Sequence, residues 1–517
     1  MKGVTKRMGI KIAMLVVFFA VMVGIGIYCR RHATDVKGFV LGGRSVGPWL
    51  TAFAYGTSYF SAVIFVGYAG QFGWKYGVAT TWIGVGNALI GSLLAWAVLG
   101  RRTRIMTQHL NAATMPEFFG RRFGSKALKI GASLIIFIFL IPYTASLYNG
   151  LSRLFAMAFS VDYTVCIILM ALFTGIYVIA GGYMATAIND FIQGIIMLIG
   201  IIVIIAAVLN TQGGFTSAMN ALANVSDPAV SASPGAFTSL FGPDPLGLLG
   251  VVILTSLGTW GLPQMVQKFY AIKSESAVKK GMIISTVFAM VVSGGCYFLG
   301  GFGRLFADQV NIAADGYDAI IPTMLSGLSD LVIALAVILV LSASMSTLSS
   351  LVMASSSTLT IDFLKDNIVK DMSEKKQLRS IRVLIVVFIF ISALIAIIQY
   401  KGNITFIAQL MGISWGALSG AFLAPFLYGL YWKRTTRAAV WASFATGVGI
   451  TVANMFIGFI DSAINAGAIT MLVSLIIVPV VSLLTKPLPK EQIEQSFACY
   501  EEKVTVARKY QLRHDDK

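Results

Sequence analysis

Charged side chains are scarce in this 517-residue chain. Asp, Glu, Lys and Arg make up 12% of it, against about 25% in soluble globular proteins. With 57% hydrophobic residues and a mean hydropathy of +0.81, the chain has too little polar surface to face water all round. Cysteine is rare as well. Cys29, Cys166, Cys296 and Cys499 are scattered without CxxC spacing, so neither a disulfide framework nor a zinc site is indicated. The three histidines, His32, His109 and His514, fall outside the apolar stretches. No HExxH motif and no Ser/His constellation stands within those stretches, which argues against an enzyme.

What the chain has is long apolar runs. A helix needs about 20 mostly apolar residues to cross a bilayer. Thirteen runs qualify: Met8–Tyr28, Trp49–Gly70, Val78–Leu99, Leu128–Phe159, Tyr163–Ala180, Ala187–Leu209, Leu246–Lys268, Met282–Phe306, Asp330–Ser355, Val383–Tyr400, Ile404–Tyr431, Ala438–Phe459 and Ile464–Leu484. None shows the short alternation of barrel strands. The first run has no small-residue cleavage site after it and reads as a retained helix.

The net charge of +17 sits between these runs. Lys and Arg collect in the loops after spans one, three, seven, nine and eleven, for example Arg30, Arg31, Lys37 and Arg44, or Arg101, Arg102, Arg104, Arg121 and Arg122. The alternate loops hold almost none beyond Lys75 and Lys401, and the loop Ala307–Ser329 carries only the acids Asp308, Asp315 and Asp318. Basic loops stay cytoplasmic, which predicts an outer N-terminus and a cytoplasmic C-terminus. Lys2, Lys6 and Arg7 argue mildly the other way. The positive balance is thus a topology signal, and no nucleic-acid partner is implied.

Two spans are interrupted at mid-depth. Span two contains Tyr55-Gly56-Thr57-Ser58-Tyr59-Phe60-Ser61, and span seven contains Gly258-Thr259-Trp260-Gly261-Leu262-Pro263-Gln264. Lipid cannot satisfy freed backbone groups, so such breaks persist only where protein, water or a ligand fills in. A single break is ordinarily a kink. Two breaks five spans apart point to inverted repeats around a central site. The predicted organisation is an extra N-terminal helix and loop (1–48), a first five-helix repeat (49–209), an extracellular loop (210–245), a second five-helix repeat (246–431), two further helices (432–484) and a cytoplasmic tail (485–517).

Span nine reads Leu341-Ser342-Ala343-Ser344-Met345-Ser346-Thr347-Leu348-Ser349-Ser350. Six hydroxyls in ten residues suit either close helix packing or a hard-cation site built from neutral oxygens. Asp190, the one acid placed inside a span, has two readings too: an intramembrane functional carboxylate or a wetted helix-start acid favoured by the dipole.

Several segments together resemble the sodium/solute symporter family, also called the solute carrier 5 family. They are "GFVLGGRSVGPW" before span two, "NAATMPEFFGRRF" after span three, "GGYMATAINDFIQ" at span six, "SASMSTLSS" in span nine and "GISWGALSGAFLAPFLYGLYWKRTTR" in span eleven. The similarity runs from about Gly38 to Arg437 and is greatest to bacterial sodium/proline symporters. It implies an all-α membrane protein of about thirteen helices with a five-plus-five, leucine-transporter-like core, coupling Na+ to uptake of a small organic solute. It also implies a sodium site from the carbonyls of Thr57, Phe60 and Ala343 and the hydroxyls of Ser346 and Thr347. Some relatives, the sodium/sialic acid symporters among them, have a second site, which maps here to Asp190, Ser346, Ser349 and Ser350. One departure stands out: Tyr59 occupies a position where the proline symporters carry aspartate, which puts proline specificity in doubt.

The solute is expected at mid-depth between the two breaks, lined by Tyr59, Ser61, Gly67, Tyr143, Trp260, Gln264 and Gln409. No Lys or Arg is expected at that depth, Lys268 being placed near the inner end of span seven. A carboxylate would then rest on a half-helix N-terminus and hydroxyls. That favours a proline-like amino acid, with monocarboxylates, pantothenate or sialic acid as alternatives. A channel or a transporter-like sensor is the alternative of a different class. No obligate protein partner is evident.

Overall fold

The computed structural model describes residues 2–30, 34–159, 161–231, 233–369, 371–402 and 407–500. The tail beyond Tyr500, the start of span eleven at 404–406, and Arg31, His32 and His514 lie outside the described residues.

The chain is almost entirely helical, and among the described residues eleven helices are long and apolar enough to cross a membrane. Two of them run across expected loops: Val63–His109 joins the second half of span two to span three, and Tyr163–Thr211 joins spans five and six. A straight helix of 49 residues would be about 74 Å long, over twice the roughly 30 Å of a hydrocarbon core. The chain instead leaves helical geometry at Gly182 (φ 58°, ψ −153°), a region open essentially to glycine. A Cβ there would also meet the Phe39 carbonyl oxygen at 2.9 Å. Gly77 (φ 62°, ψ −144°) makes the corresponding turn between the second half of span two and span three. Each of the thirteen apolar runs thereby has its helix.

Span two is a helix Pro48–Tyr59 that ends at Phe60 (φ −101°, ψ 108°) and resumes at Val63. Span seven is a helix Pro245–Gly258, a turn, and a second helix Pro263–Ala271. Proline disfavours helical geometry in the residue before it, and Leu262 is extended accordingly (φ −76°, ψ 123°). Pro263 then takes the first helical position, where its missing N–H is no loss. The helix Asp330–Thr358 is buried along almost its whole length from Ile333 onward. It packs on Tyr163–Thr211 and Lys126–Phe159, which puts the hydroxyl-rich segment at the centre. By contrast, Lys11–Cys29 is only 22% buried, as expected of a peripheral, lipid-facing helix.

The loops sort to two ends. At one, Arg44 bonds the carbonyls of Thr107, Ala112 and Tyr270, Arg104 bonds those of Ile272 and Lys273, and the Lys273 amide bonds Val46. The basic loops after spans one, three and seven thus share a face. At the other, Arg304 pairs with Asp227 at 2.8 Å and Lys75 with Asp244 at 3.0 Å. The loop 210–245 contains a helix, Phe215–Ala223. In the described part of the tail Lys490–Phe497 is helical, and Phe497 is buried under the Arg122 guanidinium at 4.7 Å.

Candidate functional site

The break in span two releases backbone carbonyls into the centre. In an unbroken helix the Ile64 amide would bond Phe60; here it bonds the Ser61 carbonyl at 3.0 Å, and the Val63 amide takes Ser61 Oγ at 3.3 Å. The freed Thr57 carbonyl receives the hydroxyls of Ser346 (3.1 Å) and Thr347 (3.2 Å) across the helix interface. Both hydroxyls also lie 3.0 Å from the Ala343 carbonyl, and Thr347 Oγ1 is 3.5 Å from the Ser58 carbonyl. Thr57, Ala343, Ser346 and Thr347 therefore converge, and all are buried. Phe60 is buried beside them with its carbonyl relieved of its helical partner. A hydroxyl has one proton and two lone pairs, so rotating the two hydroxyls turns this neutral oxygen cluster towards a cation. The donor chemistry fits a hard monovalent ion such as Na+.

Against the break in span two lies a buried aromatic cluster. Tyr59 stacks on Phe60, its ring 6.0 Å from Trp415, and its hydroxyl bonds the Thr255 carbonyl. Tyr143 meets Trp415 edge-on at 5.8 Å. The Tyr143 hydroxyl, the Trp415 indole N–H and both amide atoms of Gln264 are buried without a hydrogen-bond partner. Buried polar groups are nearly always paired, so each of these atoms is left able to take a polar partner. Tyr59, Ser61, Tyr143, Gln264 and Trp415 are each at most 1% exposed.

Three of the expected lining residues fall elsewhere or are already occupied. Trp260 spends its indole N–H on the Ile90 carbonyl at 3.0 Å. Gly67 sits under Ile407 and Asp318, where a Cβ would lie 3.1 Å from Ile407 and 3.6 Å from Asp318 Oδ1; it belongs to the closure at the acidic end. Gln409 lines a separate cavity of about 550 Å³ with Asn454 and Asp461 at the ends of the last helices. Hydropathy alone cannot tell which face of span eleven turns inward; on that span it is Trp415 that packs on Tyr59 and Tyr143. Trp415 was missed, although the Ser-Trp-Gly triplet inside an apolar run was its signal.

Lys268 corrects a second expectation. It is not at the wet inner end of its span but 3% exposed, because the chain restarts as a short helix at Pro263. Its ammonium bonds Ser350 Oγ at 2.9 Å, lies 3.8 Å from Asp190 Oδ2 and faces the Tyr183 ring at 5.2 Å. Ser350 Oγ in turn contacts Ser58 Oγ at 2.7 Å. Of the four residues expected at a second sodium site, Asp190 and Ser350 are brought together, through Lys268. The Ser349 hydroxyl donates to the Ser346 carbonyl of its own helix at 2.9 Å.

A membrane bundle with two helices broken at mid-depth and an oxygen cluster against one break has the layout of a secondary active transporter. The chain belongs to the sodium:solute symporter family, which matches residues 39–449. It is 31% identical over 491 residues to the sodium/proline symporter of Staphylococcus aureus, spanning 92% of both chains. The outward-open, substrate-bound structure of a Na+-coupled sialic acid symporter matches with a TM-score of 0.75 and 19% identity, over 93% of this chain and 98% of that one. Mhp1, a nucleobase-cation-symport-1 family transporter in a closed conformation, matches at 0.50 and 14%, over 89% and 97%. The fold is thus leucine-transporter-like. The protein is a multi-pass membrane symporter coupled to Na+, not an enzyme.

Proposed function

We propose that the chain accumulates a proline-like amino acid, with Na+ bound by the carbonyls of Thr57, Phe60 and Ala343 and the hydroxyls of Ser346 and Thr347. The observation that carries the site is the convergence of both hydroxyls on the freed Thr57 carbonyl. The solute occupies the pocket of Tyr59, Ser61, Tyr143, Gln264 and Trp415. Its carboxylate meets the N-terminus of the helix Pro263–Ala271, whose dipole favours an anion, beside the unpartnered Gln264 amide. Its apolar ring packs on Trp415 and Tyr143. The proline symporter relatives support this solute class. Tyr59, where those relatives are expected to carry aspartate, argues for a site that reads shape and carboxylate rather than a second charge.

The repeats are assigned to 49–209 and 246–431, each opening on a broken helix. The basic loops face the cytoplasm, with the N-terminus outside and the C-terminus inside. Sodium entering down a 100 mV potential supplies about 2.3 kcal/mol per charge, which supports a solute ratio of roughly fifty. The test is uptake of labelled L-proline and a panel of monocarboxylates, pantothenate and sialic acid into proteoliposomes. Proline uptake that requires an inward Na+ gradient is expected. Equal uptake with choline in place of Na+ overturns the sodium site, and preference for another solute overturns the pocket assignment.

A further inference from the structure

We infer that Lys268 is a tethered cation filling the place beside Asp190, so that one Na+, not two, accompanies each solute. The inference rests on the sodium-coupled reading above and specifies its stoichiometry.

Asp190 is wholly buried, and neither carboxylate oxygen has a hydrogen-bond partner. A buried carboxylate must be paired or neutralised. The cation that meets it is the Lys268 ammonium, 3.8 Å from Oδ2 and itself 3% exposed. That ammonium does what a second sodium ion would do: it takes the Ser350 hydroxyl at 2.9 Å and lies over the face of Tyr183. Ser349 and Ser346 offer only neutral oxygens there, their protons donated to the Ser346 and Thr57 carbonyls. An added Na+ between Asp190 and Ser350 would share the ammonium's position and meet it as a like charge at contact distance. The tether also touches the site that remains, because Ser350 Oγ contacts Ser58 Oγ at 2.7 Å, one residue from the Thr57 carbonyl.

Lys268 reaches this position because span seven is broken. Pro263 restarts the helix, and Lys268 stands five residues after it, on the same short helix as Gln264. Sodium site, carboxylate and solute amide are thereby joined through two broken helices.

The test counts ions. Equilibrium binding of 22Na+ to the purified protein and the charge-to-proline flux ratio in proteoliposomes are measured for wild type, Lys268→Ala and Asp190→Asn. Wild type is expected to bind one Na+ and move one charge per zwitterionic solute. Lys268→Ala removes the tethered cation and opens room at Asp190, so bound Na+ should rise to two and the Hill coefficient above one. Asp190→Asn should still bind one. Two ions on wild type falling to one in Asp190→Asn overturns the proposal, as does a folded Lys268→Ala that still binds one. If Lys268→Ala does not transport, the equilibrium count decides, and if it does not fold, the comparison of wild type with Asp190→Asn decides. A wild type that binds no Na+ would instead overturn the sodium reading on which the proposal stands.

Discussion

Replacing Ser346 or Thr347 with alanine isolates the oxygen cluster from everything else in the transporter. In the conformation described here each hydroxyl donates within the cluster, Ser346 at 3.1 Å and Thr347 at 3.2 Å to the Thr57 carbonyl. Such a neutral bond contributes about 1 kcal/mol net to the empty protein. When Na+ binds, the hydroxyl turns a lone pair to the ion, and contacts with a full charge contribute about 1.5–3 kcal/mol. The difference, about 0.5–2 kcal/mol, is what the variant loses on binding, and it raises the Na+ concentration for half-maximal uptake roughly 2- to 30-fold. Stability of the empty protein should fall by only about 1 kcal/mol, since one small buried hydroxyl is removed. Thr347→Ser restores the oxygen and should return the Na+ curve to near wild type. The assay is initial-rate uptake across a Na+ titration at constant ionic strength, beside a melting curve without Na+. Wild-type Na+ curves for both alanine variants would refute the assignment and leave the hydroxyls as packing groups.

Three further outcomes follow from other parts of the structure. Gln264→Leu removes two unpartnered buried polar atoms, so it should raise the melting temperature of the solute-free protein while raising the KM for solute about 2- to 10-fold, the loss of one hydrogen bond of about 0.5–1.5 kcal/mol; the Na+ requirement should persist. Gly182→Ala forces a side chain into glycine-only backbone geometry and against the Phe39 carbonyl, so it should destabilise by about 1–3 kcal/mol, read as a lower melting temperature and reduced yield of folded protein. At the acidic end, burial pushes the Asp318 carboxyl above its ordinary value, although the Arg153 guanidinium at 3.8 Å pulls it down. The folded state then holds this proton more tightly than the unfolded chain, whose value is about 3.9; stability from this group is present below that pH and is lost as pH rises through the folded value. Asp318→Asn should remove that component of the pH dependence, and a melting profile that keeps the wild-type slope would contradict it.

The transmembrane plan was legible because the physics is one-dimensional: an apolar run of about 20 residues must cross, and Gly258, Gly261 and Pro263 must interrupt a helix. The oxygen cluster was legible in part for the same reason, since six hydroxyls in span nine have few uses in an apolar helix. What stayed hidden was which faces meet. Lys268 looked like an inner-end lysine because hydropathy measures span seven as one straight helix. Only the break at Leu262 brings it to Ser350 on a helix eighty-two positions away. Gln409 looked central and Trp415 did not, although both lie on span eleven, because helical rotation is set by the packing of Trp415 on Tyr59 and Tyr143. The partnerless state of Gln264 is equally invisible in sequence, since it depends on what surrounding helices fail to offer.

The central claim is that one oxygen cluster binds the coupling ion. Saturable 22Na+ binding to the purified protein in detergent, compared with the Ser346→Ala/Thr347→Ala double variant at matched folded fraction, tests it most directly. Wild type should bind Na+ saturably, with L-proline increasing its affinity, and the double variant should lose that binding while keeping its melting transition. Undiminished, proline-sensitive Na+ binding by the folded double variant would contradict the account.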